Sequence, residues 1–322
     1  MNILDKVAVT SRSFSANESL VKELKKRYSN IQLNSSGKTL KGEDLLEFLH
    51  GQNKVIVGLE NFNKELIEQL PELHVISKFG VGLNNIDLRT MAEKSIALGF
   101  QPGTNKQSVA ELALMHMLIA LRKLPNSKEE ILNNIWSQNK GHELFGKSVG
   151  IIGFGNIGQR LAELLEPFHC NIFFYDNINF SYENLKSIYP KKSDSFINNI
   201  NQKPLNTLLE SSDIISIHIP LVKETQNLIQ DKEFGLMKED IKIINTSRGG
   251  IVDEDALLKF LIDRTKAFAG FDVFETEPAF NHPLLKLNNF YATSHLGSMT
   301  IEGVISMGMA AINGLDENDI PL

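Results

Sequence analysis

One short stretch constrains this chain more than any other: Val149-Gly150-Ile151-Ile152-Gly153-Phe154-Gly155-Asn156-Ile157-Gly158, an apolar run that breaks into spaced glycines and then turns helical. Glycines in G-x-G-x-x-G spacing are weak evidence alone, but these follow a strand-like run and open a helix-period segment reaching about residue 165. Each glycine then has its own reason. Gly153 permits a tight turn, Gly155 lets a pyrophosphate approach the backbone, and Gly158 lets helix and strand pack closely. The helix start offers free N–H groups and a positive dipole end to phosphate. Asp176 ends the next strand-like run, Ile172-Phe173-Phe174-Tyr175, 18 residues beyond Gly158. An acid there accepts ribose hydroxyls and repels a 2′-phosphate. Asn177-Ile178-Asn179 supplies no arginine to hold such a phosphate, so NAD is expected in preference to NADP.

The rest of the chain fits a nucleotide-binding sheet. Strands are expected at 149–152, 172–175, 214–219, 242–245, 267–273 and 290–293, with helical segments between them, which predicts a doubly wound parallel sheet. An earlier set alternates in the same way. Strands at 7–11, 55–58, 75–79 and 96–100 are interleaved with helices near 18–27 and 64–70, and Pro102-Gly103 breaks the series. A long helix is expected over 108–124, stopped by Pro125, with Met115 and Met117 as packing residues and His116 as a satisfied helix histidine. Residues 178–203, rich in Asn, Ser and Lys without clean periodicity, read as a surface excursion beside the sheet. At 322 residues the chain is long enough for two domains.

Composition narrows the function. Apolar residues make up 42% and charged residues 22%, as in globular proteins, which excludes wholesale disorder. A net charge of −6 gives no basic field for nucleic acid or an anionic membrane, so no partner of either kind is expected. The densest apolar stretch, 112–121, is too short to span a bilayer and contains His116. The start, MNILDKVAVTSRS, lacks the pattern of a signal peptide, and a single cysteine, Cys170, excludes an intramolecular disulfide or a thiolate metal cluster. A cytoplasmic protein with no metal site is the expectation.

An enzyme that oxidises an alcohol with NAD needs a proton acceptor and a group that fixes the substrate. Candidates stand at the strand ends, where ligands bind in such sheets. Arg248 lies in Asn245-Thr246-Ser247-Arg248-Gly249-Gly250, and its planar fork suits a carboxylate. Asp272 ends a strand, Glu277 follows in Glu275-Thr276-Glu277-Pro278, and His295 follows the last strand in Ser294-His295-Leu296-Gly297. Singly, each has an ordinary explanation as a surface charge, a turn residue or a strand-end histidine.

Together, and in this order behind the glycine loop, they resemble the D-isomer-specific 2-hydroxyacid dehydrogenases, in particular the phosphoglycerate dehydrogenase-like branch. The resemblance covers nearly the whole chain. It runs from Ser77-Lys78-Phe79-Gly80-Val81-Gly82-Leu83-Asn84-Asn85-Ile86-Asp87 through Pro102-Gly103-Thr104-Asn105 and Ser108-Val109-Ala110-Glu111 to the glycine loop and the strand-end motifs. It implies an α/β protein of two doubly wound parallel-sheet domains. A Rossmann NAD-binding domain over 104–295 would be inserted in a flavodoxin-like substrate domain built from 1–103 and 296–322, with a closing helix near 299–313.

It further implies that Arg248 binds the substrate carboxylate and polarises the 2-oxo group, that His295 exchanges the proton, and that Glu277 pairs with the histidine and orients its ring. Val81 and Gly82 would offer backbone donors to the carboxylate, and Asp272 would accept from the nicotinamide amide. Asn156, Ile157, His218, Pro220, Thr225, Thr246 and Gly297 sit at cofactor-contacting positions, beside Gly153, Gly155, Gly158 and Asp176. For His218, within Ile217-His218-Ile219, a core role stays open. The members are commonly dimers, and the lone tryptophan, Trp136, is expected to bury against a partner subunit.

Ser294 replaces the usual proline before the histidine, and Gly297-Ser298 replaces a glycine pair; both changes touch the loop that positions His295. No appended regulatory domain is expected after residue 322. An NAD-sensing binding protein with little turnover stays open as an alternative. So do dehydrogenases of glyoxylate, hydroxypyruvate or other 2-oxo acids, and a phosphite-oxidising relative; a formate-oxidising one would carry glutamine for the acid. The leading substrate expectation is 3-phosphoglycerate. It rests on Arg12, after the first strand, and Lys78, before Gly80-Val81-Gly82, forming a second anion site.

Overall fold

The computed structural model describes residues 2–321, which divide into two compact units, 2–105 with 299–321 and 106–298. The expected boundaries were 103/104 and 295/296.

In the first unit, β1 (Asn2–Val9), β2 (Tyr28–Leu33), β3 (Lys54–Val57), β4 (Val75–Lys78) and β5 (Ala97–Gly99) form a parallel sheet in the order β2-β1-β3-β4-β5. This is the flavodoxin-like winding. Alternation along the strands sorts the core. Val7, Val9 and Ile56 pack with the helices Glu18–Arg27 and Ile301–Gly314, while Ala8, Val55 and Val57 pack with Gly42–Leu49, Lys64–Glu68 and Leu88–Glu93. The helix Ile301–Gly314 lies so close to the sheet that a Cβ on Gly99 would stand 2.1 Å from the Gly314 carbonyl oxygen, and Ser77 Oγ donates to the Ala311 carbonyl at 2.6 Å. Strand β2 was not expected from sequence. It is an edge strand with only Tyr28 buried, so it carries little apolar signal.

The second unit holds β6 (Ser148–Ile152), β7 (Asn171–Tyr175), β8 (Ile200–Gln202), β9 (Ile214–Ile217), β10 (Lys242–Asn245), β11 (Phe268–Phe271) and β12 (Phe290–Ala292). All pair in parallel, in the order β12-β11-β10-β9-β6-β7-β8. The winding reverses between β6 and β9, the switch point where such sheets bind ligands. One face packs on the helices Lys106–Arg122 and Asn156–Leu165, the other on Leu205–Ser211, Asp231–Leu236 and Glu254–Asp263.

Two sequence expectations are corrected here. Residues 178–203 are not an excursion beside the sheet. They form the helices Tyr182–Ile188 and Asp194–Asn198 and the edge strand β8, and they bury Leu185, Tyr189, Phe196, Ile197 and Ile200 in the core. Pro125 does not simply stop the long helix. That helix ends at Arg122, Lys123 turns left-handed, and Pro125 sits in the first turn of a further helix, Leu124–Leu132, where its missing N–H is harmless. Among the described residues no helix is long and apolar enough to cross a membrane, and no group of three or more His, Cys, Asp or Glu side chains is arranged to hold a metal.

Candidate active site

The glycine loop joins β6 to the helix Asn156–Leu165 and has the shape a dinucleotide requires. Gly153 takes φ +95°, and a Cβ on it would stand 2.6 Å from the His218 carbonyl oxygen. A Cβ on Gly158 would stand 2.2 Å from the Gly153 carbonyl oxygen, so helix and loop close only on glycine. At Gly155 nothing lies within 4 Å of a built Cβ; the loop has open space in front of the residue that a pyrophosphate must approach. Gly155 caps the helix with no side-chain hydrogen bond, which leaves the first N–H groups to a ligand. Asn156 and Ile157 form that first turn.

Asp176 stands at the end of β7. Its Oδ2 accepts from Phe154 N at 2.7 Å and its Oδ1 from Ile178 N at 3.0 Å. The carboxylate is thereby aimed at the loop, and each oxygen keeps a lone pair for a ribose hydroxyl. Thr246 Oγ1 after β10 and His218 Nδ1 after β9 are among the buried polar atoms that lack a hydrogen-bond partner. Burial pulls the His218 imidazole down to about 3, so it stands there neutral, with Nε2 against Ser216 Oγ at 2.8 Å. Orphaned polar atoms beside an open glycine cradle fit a bound NAD. Thr225 serves its own turn: its hydroxyl donates to the Pro220 carbonyl at 2.7 Å and accepts from Val222 N at 2.9 Å.

The catalytic candidates lie on loops at the C-terminal ends of β10, β11 and β12, three adjacent parallel strands, and hence at one edge of the sheet. Asn245 shapes the Arg248 loop, its Oδ1 accepting from Ser247 N and Oγ and its Nδ2 donating to the Arg248 carbonyl. That loop abuts the next: a Cβ on Gly249 would stand 2.0 Å from the Phe274 carbonyl carbon. Arg248 is half-buried and its Nη1 donates to the Ser247 carbonyl at 2.7 Å. Burial draws its guanidinium below the ordinary value, against the pull of the Glu277 carboxylate, and a guanidinium remains charged. Among the described residues no carboxylate pairs with it, so its fork stays open to an anionic substrate. Glu277 Oε1 accepts from Phe274 N at 3.1 Å, while Oε2 accepts from His295 Nδ1 at 2.8 Å. The pairing fixes the ring and leaves Nε2 for a substrate oxygen.

Asp272 is almost fully buried, at 1% exposure, and its carboxylate gathers the loop around His295. Oδ1 accepts from Thr293 Oγ1 at 2.5 Å and Leu296 N at 2.7 Å, and Oδ2 from Gly297 N at 2.8 Å. Sequence reasoning assigned Asp272 and Gly297 to the cofactor and missed this bond between them. It also missed Thr293 and Asn245, whose roles depend on contacts no motif encodes.

In the first unit Val81 and Gly82 lie in the loop after β4, beside Gly80 at φ +128°. Lys78 is engaged within its own unit. It is buried at the strand end, its Nζ donating to the Gly58 carbonyl at 2.5 Å and to Asn85 Oδ1 at 2.8 Å, where it ties two loops together. Arg12 is exposed and donates through Nη1 to the Gly37 carbonyl at 3.3 Å.

Comparison with known proteins agrees with this geometry. The family profile described as "D-isomer specific 2-hydroxyacid dehydrogenase, NAD binding domain" matches residues 114–297. The glyoxylate reductase of Thermococcus litoralis is 35% identical over 77% of this chain and 74% of its own length. The hydroxypyruvate reductase of Thermotoga maritima is 33% identical over 87% of this chain and 89% of its own. Among solved structures, the NAD+-bound 3-phosphoglycerate dehydrogenase of Entamoeba histolytica superposes with a TM-score of 0.75 at 26% identity, covering 96% of this chain and 93% of that one. The chain also matches two archaeal D-3-phosphoglycerate dehydrogenases, of which it spans about half the length, 49% in each case. With the open cradle and the strand-end Arg, Glu and His on one edge, these matches establish that the chain belongs to the D-isomer-specific 2-hydroxyacid dehydrogenase family, as an NAD-dependent oxidoreductase acting on the CH–OH group of 2-hydroxy acids.

Proposed function

We propose that the protein reduces a short, unphosphorylated 2-oxo acid of the glyoxylate or hydroxypyruvate type, with His295 as proton donor. The observation that carries the reading is the 2.8 Å bond from His295 Nδ1 to Glu277 Oε2. It commits one ring nitrogen to the carboxylate and presents the other to the substrate. Arg248 takes the substrate carboxylate in its fork and polarises the 2-oxo group. His295 Nε2 gives its proton to the oxygen that becomes the hydroxyl, and Glu277 holds the ring while its charge changes. Gly155, Asn156, Ile157, Asp176, His218, Pro220, Thr225, Thr246, Asp272 and Gly297 would hold NADH, which would supply the hydride for C2.

The choice of an unphosphorylated acid is supported by the engagement of Lys78 with Gly58 and Asn85, which removes one of the two cations that a phosphate site would use. A second reading, 3-phosphoglycerate and its 2-oxo product, is favoured by the relatives named D-3-phosphoglycerate dehydrogenase at 34–35% identity. It would depend on Arg12. Initial rates with NADH separate the two. A phosphate contact is worth about 1.5–3 kcal/mol, or roughly 10- to 150-fold in kcat/KM. An advantage of that size for 3-phosphohydroxypyruvate over hydroxypyruvate, lost in Arg12→Ala, reverses the assignment. The working form is proposed to be a homodimer in the cytoplasm; the dimer is supported by the exposed Leu132, Ile135 and Trp136 of the second unit.

A further inference from the structure

We infer that His116 and Thr293 are positioning residues that hold the His295 loop through Asp272. The inference rests on His295 being the proton donor. His116 is wholly buried on the helix Lys106–Arg122, with Nε2 3.2 Å from Thr293 Oγ1. Thr293 Oγ1 in turn bonds Asp272 Oδ1 at 2.5 Å. The direction of the chain follows from the donors available. An ionised carboxylate only accepts, so the single hydroxyl proton of Thr293 goes to Asp272. The Thr293 oxygen therefore accepts from His116, whose proton sits on Nε2. His116 Nδ1 has no partner. The ring occupies a space left by Gly270 on β11, where a Cβ would stand 2.7 Å from Nδ1, and it lies against Tyr291 on β12 with ring centroids 5.5 Å apart. Burial keeps the imidazole neutral, drawn down to about 4 against the opposing charge of Asp272.

The far end of the relay holds the loop. Leu296 N and Gly297 N both donate to the Asp272 carboxylate, and His295 N donates to the Asp272 carbonyl at 2.9 Å. His295 itself takes φ +57°, a left-handed conformation that a non-glycine residue keeps only where its surroundings over-determine it. Turning the carboxylate about its Cβ–Cγ bond would release those donors and re-aim Nε2. Thr293, held in its turn by His116, fixes that rotation. A leucine at 116 would fill similar space more cheaply in an apolar core, so the imidazole serves its polar contact.

The test uses Thr293→Val, which keeps the shape and removes the hydroxyl, Thr293→Ser, which restores it, and His116→Leu alone and combined with Thr293→Val. At saturating NADH, Thr293→Val should lower kcat for 2-oxo acid reduction about 10- to 100-fold, the scale of a small misplacement, with KM for the acid unchanged. Thr293→Ser should recover most of the loss. His116→Leu should lower kcat in the wild-type background and add nothing to Thr293→Val, because both break one relay. Folded variants with wild-type kcat, or losses that multiply in the double variant, overturn the inference. If His116→Leu does not fold, the Thr293→Val and Thr293→Ser pair decides. His295→Ala keeps the two readings apart. Wild-type turnover there removes the proton-donor assignment, whereas a crippled His295→Ala beside unaffected relay variants removes the relay alone.

Discussion

Acid should destabilise the second unit through His116 in a way that one substitution abolishes. The imidazole drops from its ordinary 6.5 to about 4 because it is buried, and its Nδ1 has no protein group to pair with if it takes up a proton. As pH falls below 6.5 the unfolded chain takes up the proton while the folded chain refuses it down to about 4. The stability gained by keeping the ring neutral is therefore whole above 6.5, is lost progressively between 6.5 and 4, and changes no further below that. Each pH unit in the window costs about 1.4 kcal/mol, which integrates to about 2 kcal/mol between pH 7 and pH 5. His218, drawn down to about 3, adds its own loss in the same window, so the comparison must be between proteins. Urea unfolding followed by circular dichroism at pH 7, 6 and 5 should show the wild type losing about 2 kcal/mol more than His116→Leu over that range. The variant's lower starting stability does not matter; the slope does. Parallel pH profiles would refute the reasoning, because they would mean that His116 is protonated as easily folded as unfolded.

His295→Ala should lower kcat about 10²- to 10⁴-fold while NADH still binds in a fluorescence titration, and near wild-type turnover would remove the proton donor. Wild type should prefer NADH to NADPH in kcat/KM, and Asp176→Ala should erode that preference through weaker NADH binding; equal efficiency with both cofactors in the wild type would show that the acid was misread. Trp136 is 82% exposed on the single chain, so sedimentation at micromolar concentration should give a dimer, and a monomer there would leave its exposure without a purpose.

What the sequence disclosed and what it hid divide along physical lines. The glycine loop was legible because three backbone requirements fall at fixed spacing, and the φ of Gly153 and the crowding at Gly158 are their direct consequence. Arg248, Glu277 and His295 were legible as strand-end residues in a known order. Strands β2 and β8 were hidden because they carry little apolar signal: only Tyr28 in one and Ile200 in the other are buried, and Ser29, Asn30 and Asn201 are exposed. The relay was hidden for a different reason. His116 and Thr293 are 177 residues apart, and each looks ordinary in its own segment. The bonds of Lys78 to Gly58 and Asn85 were hidden too, because a lysine at a strand end beside a glycine loop has the pattern of a ligand contact and its internal partners lie 20 and 7 residues away.

The docking of the helix Ile301–Gly314 on the first sheet has a consequence for how the protein is made. The face of that sheet carrying Val7, Val9 and Ile56 is completed by Ala311, Ile312 and Leu315, which the ribosome adds only after the whole second unit. About 200 residues separate β5 from this helix, so at ordinary elongation rates the face waits roughly 10–40 s for its cover. The second unit, continuous in sequence from 106 to 298, is free to fold in that interval. The first unit is then the last to finish despite being begun first, and its half-covered sheet is where a nascent chain of this protein is most exposed to aggregation and most in need of a chaperone.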